Sequence, residues 1–254
     1  LKCPKCGYLR QDQDSHLMEG VCPQCGIAYC KWKENPVPAQ EQSFVPEPTN
    51  YSIQPVEHWS RRALNRLLEV PDSVDSHAFW GRVALFIAFI IWGWSFILGG
   101  IDWRSIGGSF LHNVNLPFHE FGHVLFRPFG RFMTILGGSL FQVLMPLGLM
   151  LAFIIQRRDT FAASIMLWWS GQNFIDVSPY IADASHRAIP LILGLSEAYH
   201  DWGNLLSMTG SLHRAGMYAG LSFGIGVALM LLSFCWGGYL LYRQHRNLNR
   251  LRQL

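Results

Sequence analysis

The segment from Asn115 to Phe126 contains His119-Glu120-Phe121-Gly122-His123, a match to the pattern H-E-x-x-H. On a helix, His119 and His123 lie four residues apart, so both imidazoles point to one side. Two neutral imidazoles at that spacing can fill two corners of a tetrahedral zinc site. Glu120 lies beside them and could take a proton from a zinc-bound water. The flanks differ from those of a soluble metalloprotease. Leu116, Phe118, Phe121, Val124, Leu125 and Phe126 are apolar all round, which predicts a helix buried in protein or lipid. Three ionisable groups in such a helix are costly unless each has a partner.

A catalytic zinc needs a third protein ligand and a corner left for water. The richest source is the stretch from Trp168 to Asp183, where Asn173, Asp176, Tyr180 and Asp183 fall in or beside an apolar segment. Intramembrane carboxylates are functional candidates in their own right. His200 and Asp201, in Tyr199-His-Asp-Trp-Gly-Asn204, are the other candidates. A structural role competes for each of them: Asp176 could cap a helix and Asp183 could open a loop. His112 and His213 read as interface or loop histidines, and Cys235 as a lipid- or core-facing residue.

A second metal signal lies at the start of the chain. Cys3-Pro-Lys-Cys6-Gly and Cys22-Pro-Gln-Cys25-Gly are two copies of C-P-x-C-G, with 15 residues between Cys6 and Cys22. Each reads as a knuckle whose glycine allows a tight turn, and four thiolates close a structural zinc site. So short a module builds too small an apolar core to fold unaided, so the metal supplies its folding energy. Two disulfides are the alternative, but thiolate zinc at this spacing reads better and argues for a reducing compartment. Cys30 is spare.

These elements must be held by a membrane fold. Of 254 residues, half are hydrophobic and only 15% are charged, against about 25% in an average soluble domain. The net charge of +3 is too small to imply nucleic acid. The expected order is a zinc ribbon over 1–35 and a Pro-rich linker over 36–55. An amphipathic juxtamembrane helix follows within 56–79, then a membrane-embedded domain over 80–243 and a basic tail over 244–254. In the juxtamembrane helix Trp59, Ala63, Leu64, Leu67 and Leu68 oppose Arg61, Arg62 and Arg66, which suits anionic headgroups. No signal peptide is expected, since the first 80 residues lack an apolar core segment.

The fold class expected is an all-α polytopic membrane protein with five or six spans and a small β-type zinc ribbon. The spans are 83–101, 105–126, 132–156, 160–175 and 215–242, with 188–207 a doubtful half-helix or re-entrant segment. Gly137-Gly138-Ser139 predicts a loop or hairpin at the start of the third. Gly216, Gly220 and Gly224 predict close helix packing in the last. Arginines before the first span and after the last place both ends in the cytoplasm.

With a His-Glu-Phe-Gly-His helix among spans and a later Asn…Pro…Asp stretch, residues 80 to 205 resemble the site-2 protease family of intramembrane zinc metalloproteases, in particular its bacterial members. The resemblance implies that His119, His123 and a later Asp bind zinc and that Glu120 is the general base. It makes Asp183, four residues after Pro179, the preferred third ligand, with Asp176, His200 and Asp201 as alternatives. Asn173 becomes the residue that assists the oxyanion. The family's Gly after that Asp is Ala184 here, a departure. The zinc ribbon is an accessory module that the family does not require, and Gly137-Gly138-Ser139 is similar to its substrate-lining Gly-rich segment. The implied function is hydrolysis of peptide bonds in membrane-spanning substrates at a bacterial inner membrane, with one catalytic and one structural zinc. The ribbon would recruit substrate or a protein partner. The competing expectation is a non-proteolytic membrane scaffold, in which a fourth protein ligand closes the embedded zinc site. A metal transporter would need a path of ligands, and the chain shows one cluster.

Overall fold

The computed structural model describes residues 1–31, 58–72 and 74–251. The expected linker, Trp32, Lys33 and Arg252 lie outside them. The chain divides into two compact units, Leu1–Pro55 and Val56–Leu254.

In the first unit the two knuckles are near copies. The N–H of Gly7 donates to the carbonyl of Cys3 and that of Gly26 to the carbonyl of Cys22, both at 2.9 Å. Gly7 and Gly26 turn with φ of +76° and +69°, where a side chain would be strained. The expected β ribbon is reduced to two isolated bridges, Lys2 with Leu9 and Val21 with Ala28; the described residues hold no strand. Arg10 takes the place of an apolar core. Its guanidinium donates to the carbonyls of Asp14, Leu17, Met18 and Val21 and so gathers the loop between the knuckles.

The second unit is helical: α1 (Trp59–Leu67), α2 (Ser76–Gly99), α3 (Trp103–Gly107), α4 (Phe110–Phe126), α5 (Arg131–Ala152), α6 (Thr160–Ala182), α7 (Asp201–Met208) and α8 (Ala215–Leu251). Three helical stretches are long and apolar enough to cross a membrane: Ser76–Gly99, Arg131–Arg157 and Leu212–Leu248. Their burial is one-sided. In α2 only Phe79, Phe86, Gly93 and Phe96 are buried, a stripe at seven- and three-residue steps, while Ile91 and Leu98 stand exposed. In α8 the buried positions run 215, 219, 222, 226, 230, 233, 237, 240, 241 and 244, the steps of one helix face. Apolar surface left outward on this scale suits a lipid solvent.

The helix α6 is the axis of the bundle and is buried on nearly every side. It packs most extensively on α8, where the close approach is made by Gly171 and Gly226. A Cβ on either would fall 2.6–2.8 Å from the other's carbonyl oxygen. This corrects the sequence expectation, since Gly216, Gly220 and Gly224 face open space.

The helix pairings give the traverses. Phe79 stacks on His245 and Arg82 donates to Gln244, while Gly93 meets Phe234, so α2 and α8 are antiparallel. Ser233 bonds the carbonyl of Ser164 and Ser222 that of Phe174, so α6 is also antiparallel to α8. Helix α5 returns antiparallel to α6, with Ser170 on the carbonyl of Val143 and Gln142 on Asp176. Helix α4 behaves differently. Along it His112, Asn115 and Phe118 meet Asp176, Gln172 and Trp169, an antiparallel trend against α6. Its second half is antiparallel to α5 as well, with His119 on Gln142 and His123 on Thr134. Since α5 and α6 oppose each other, α4, with Pro117 at its middle, lies across them. The expected second span is thus a broken pair, α3 and α4, that starts and ends on the side where α2 finishes and α5 begins. The expected loop at Gly137-Gly138-Ser139 is helical throughout, as part of α5. The doubtful segment 188–207 is two single 3-10 turns and the short α7.

Candidate metal centres

Helix α4 presents His119 and His123 one turn apart, as their spacing requires, with ring centroids 4.9 Å apart. Asp201, the first residue of α7, lies against both. Its Oδ2 is 2.9 Å from Nε2 of His119 and 3.3 Å from Nε2 of His123. Arms of about 2.0–2.1 Å around a tetrahedral zinc subtend edges of about 3.3 Å, so the three donors stand at the separations of ligands sharing one ion. All three ligand atoms lie within 4.8 Å of one another.

The far side of each ring fixes which nitrogen is free. The carbonyl oxygen of Thr134, 2.8 Å from Nδ1 of His123, can only accept. That nitrogen therefore carries a proton, which leaves Nε2 as the atom that could offer a lone pair to a metal. At His119 the proton is fixed through one more residue. Gln142 donates its amide to Asp176 Oδ2 at 2.7 Å, because a carboxylate only accepts, so its Oε1 must face His119 Nδ1, 3.1 Å away. His119 then carries its proton on Nδ1 and also presents Nε2. Partners of this kind, one shell outside the ligands, orient metal-binding histidines.

Glycine makes the room. A Cβ on Gly138 would lie 2.6–2.7 Å from imidazole atoms of both His119 and His123. A Cβ on Gly137 would lie 2.7 Å from the carbonyl oxygen of Gly122, and 2.6 Å from Phe126 Cβ. The Gly-rich segment therefore lets α4 and α5 touch and cradles the two rings. Ser139, next in line, accepts the indole N–H of Trp202 at 3.0 Å and so ties α7 to α5.

The other expected residues are placed elsewhere. Asp183, the preferred third ligand, accepts the N–H of Ile189 at 2.8 Å and lies 3.3 Å from Nε2 of His200. His200 is fully buried, and its Nδ1 accepts the N–H of Gly203 at 3.0 Å, capping α7. These two candidates thus hold the helix that carries Asp201. Asp176 lies one residue removed from the ligands, at the far end of Gln142. Asn173 is buried, donates to the carbonyl of Trp169 at 2.9 Å, and does not line the cavity. It is not placed to assist an oxyanion. Tyr180, only a polar neighbour of the candidate ligands in sequence, accepts the N–H of Asp201 on its hydroxyl at 2.9 Å and lines the cavity.

Next to the three donors opens a cavity of about 480 Å³, walled by α4, α6 and the segment from Ile189 to Tyr199. Glu120 lines it and makes no hydrogen bond or ion pair among the described residues, so its carboxylate is free to accept a proton. No fourth His, Cys, Asp or Glu joins the group among those residues.

The second centre is in the first unit. The sulfurs of Cys3 and Cys25 are 3.7 Å apart, and those of Cys6 and Cys22 3.6 Å. These spacings are far too long for disulfides and match the edge of about 3.8 Å of a tetrahedron with zinc–sulfur arms of about 2.3 Å. The sulfurs do not share protons evenly. At Cys6 the backbone N–H of Tyr8 favours the thiolate, but desolvation and the three neighbouring sulfurs outweigh it and push the thiol up to about 12. At Cys22 desolvation opposes ionisation, yet the N–H groups of Cys25 and Gln24 and the adjacent sulfurs bring it down to about 6. Four thiolates together need a cation, so the cluster could hold a metal, for which protons would compete as pH falls.

A double substitution, Cys3→Ser with Cys22→Ser, should therefore unfold the first unit alone. Proteolysis should remove residues before the linker, while the metal at His119, His123 and Asp201 stays bound. Loss of both metals in that variant would contradict two independent centres.

No protein-family model, no curated protein and no solved structure matches this chain.

Proposed function

We propose that the chain is an intramembrane zinc metalloprotease of the site-2 protease type, with His119, His123 and Asp201 as the zinc ligands and Glu120 as the general base. The observation that carries this reading is the convergence of both Nε2 atoms on one oxygen of Asp201, with both Nδ1 atoms tied back to acceptors. Three donors leave one corner of a tetrahedron for solvent or substrate, which is the composition of a catalytic rather than a structural zinc site. When bound, zinc supplies Lewis acidity that polarises a carbonyl and acidifies water. Glu120 faces the cavity with an unengaged carboxylate; it takes the proton of the attacking water and returns it to the leaving nitrogen. Tyr180 and the Asp183–His200 pair hold Asp201 in place while this happens.

The substrate is a membrane-spanning segment. Its helix must unwind locally, since intact helical hydrogen bonds hide the scissile carbonyl. An extended peptide would find side-chain contacts along Ile189, Leu191 and Ile192, which wall the cavity. Residues 132–139 are helical and present no strand edge to such a peptide.

Orientation follows from charge. Helix α8 traverses opposite to α2, and α5 opposite to α6, so the start of α2 and the end of α8 share a side. Arg243 there donates to the carbonyl of Leu68 and Trp236 to that of Leu67, which fastens α1 to this end. Arg61, Arg62, Arg157, Arg158 and Arg246 lie on the same flank in sequence. The basic end, the zinc ribbon and the tail then face the cytoplasm of a bacterial inner membrane. The apolar residues Trp59 and Leu64 of α1 are exposed, which suits a helix lying on anionic headgroups.

In vesicles carrying the protein and a panel of single-span test segments, at least one segment should be cut. Cleavage should stop on metal chelation and resume when zinc is restored. Cleavage indifferent to chelation contradicts the metalloprotease; a zinc-loaded protein that cuts none of the panel favours the scaffold.

A further inference from the structure

His112 lies seven residues before His119, two turns back on the same face of α4. Its ring lines the same cavity as Glu120 and Asp201. Three of its surroundings are settled. Trp103 covers the ring edge-to-face at 5.1 Å, and Nδ1 lies 3.1 and 3.3 Å from the two carboxylate oxygens of Asp176. Nε2 has no protein partner among the described residues. Nor does it belong to the buried polar atoms left unpaired, so it reaches the open space of the cavity.

Asp176 explains the arrangement. Its side chain is only 2% exposed, and a carboxylate so buried needs a compensating charge. Of its two partners, Gln142 is neutral and already committed to His119. The counter-charge falls to His112, whose imidazolium would carry one N–H to Asp176 and aim the other into the cavity. Trp103, Asn113, Tyr180 and Tyr199 also line the cavity with neutral N–H or O–H groups. His112 differs from them in its buried carboxylate partner, which favours a charged donor for the oxygen on which negative charge grows when a peptide carbonyl is attacked. Such donors act strongly in a site shielded from water.

We infer that His112, held by Asp176, is a further catalytic residue of this cavity, donating Nε2–H to the acyl oxygen of the peptide bond under attack. This rests on the metalloprotease reading above and adds to it a substrate contact that the H-E-x-x-H pattern does not contain.

The test uses the full chain in detergent micelles, loaded with cobalt(II) and titrated with acetohydroxamate, whose oxygens bind a metal as an acyl oxygen would. The cobalt absorption that disappears in His119→Ala reads both metal occupancy and acetohydroxamate binding. His112→Phe keeps a flat ring against Trp103 and removes the donor. His112→Asn keeps a polar partner for Asp176 but is too short to reach the cavity, and covers the case in which the phenylalanine variant fails to fold. Both should hold cobalt like the unmodified protein and bind acetohydroxamate about tenfold or more weakly, the worth of a hydrogen bond from a charged donor. Unchanged acetohydroxamate affinity in either variant, with a normal cobalt spectrum, overturns the inference. Loss of the cobalt absorption in both variants makes His112 a support of the metal site and also overturns it. If the unmodified protein shows no cobalt absorption that depends on His119, the metal centre itself fails and the inference falls with it.

Discussion

Glu120→Gln should leave zinc at the embedded centre and lower cleavage of a membrane-spanning substrate by about a hundredfold to ten-thousandfold, the usual contribution of a positioned general base. The substitution is nearly isosteric and Glu120 makes no hydrogen bond or ion pair among the described residues, so packing and ligand geometry should survive. What is lost is only the capacity to accept a proton at the cavity wall. Zinc content and cleavage rate, measured on the same preparation, separate the two effects. Unchanged cleavage with zinc in place would remove Glu120 from the reaction. Loss of zinc together with cleavage would make it a ligand instead.

Asp201→Ala should weaken zinc at the embedded centre at least about a hundredfold, since even removing an outer partner of a ligand costs ten- to a hundredfold. Asp183→Ala should keep the zinc. The contrast is the informative part. Asp201 has both imidazole Nε2 atoms within 3.3 Å, whereas Asp183 is engaged by Ile189 N–H and His200. Removing Asp183 leaves His200 without its acidic neighbour at the cap of α7, so thermal stability should fall by about 1 kcal/mol, the worth of a helix cap. Metal titration against a competing chelator gives the first quantity and thermal unfolding the second. A reversed pattern, with Asp183→Ala losing zinc and Asp201→Ala keeping it, would return the third-ligand role to Asp183.

The parts of the centre that were legible in the sequence are those set by local periodicity. His119, Glu120 and His123 sit within two helical turns, so their mutual geometry follows from the helix alone. The same holds for the two cysteine knuckles, each closed within five residues. The third ligand is a long-range matter. Asp201 comes from 82 positions beyond His119 in the chain, and its approach depends on Trp202 reaching Ser139 and on His200 capping α7. The family resemblance favours Asp183, placed after Pro179, but that carboxylate is taken up in holding the loop. Asn173 and Asp176 share this ambiguity: polar residues on a buried helix look alike in sequence whether they face a site or brace one. Asp176 braces, through Gln142, and Asn173 bonds its own helix. His112 reads as an interface or loop histidine because a lone histidine seven residues upstream carries no pattern; its offset of two full turns was the available signal.

The spans show the same division. Uncharged runs found α2, α5 and α8, because length and apolarity suffice. Segment 105–126 is not among the stretches long and apolar enough to cross, since the chain breaks between α3 and α4 and α4 lies across its neighbours. Glycine at 137–139 suggests a loop in sequence, but there it lets two helices and two imidazoles meet. At Gly216, Gly220 and Gly224 the spacing suggests packing, but the stripe faces outward.

The most direct measurement is X-ray absorption at the zinc edge of the full chain carrying Cys3→Ser and Cys22→Ser, which removes the sulfur site and leaves one zinc to report. The account predicts a first shell of two imidazole nitrogens, one carboxylate and one light atom from solvent, with no sulfur. A shell closed by four protein ligands, or a chain that retains no zinc once the thiolates are gone, would contradict it.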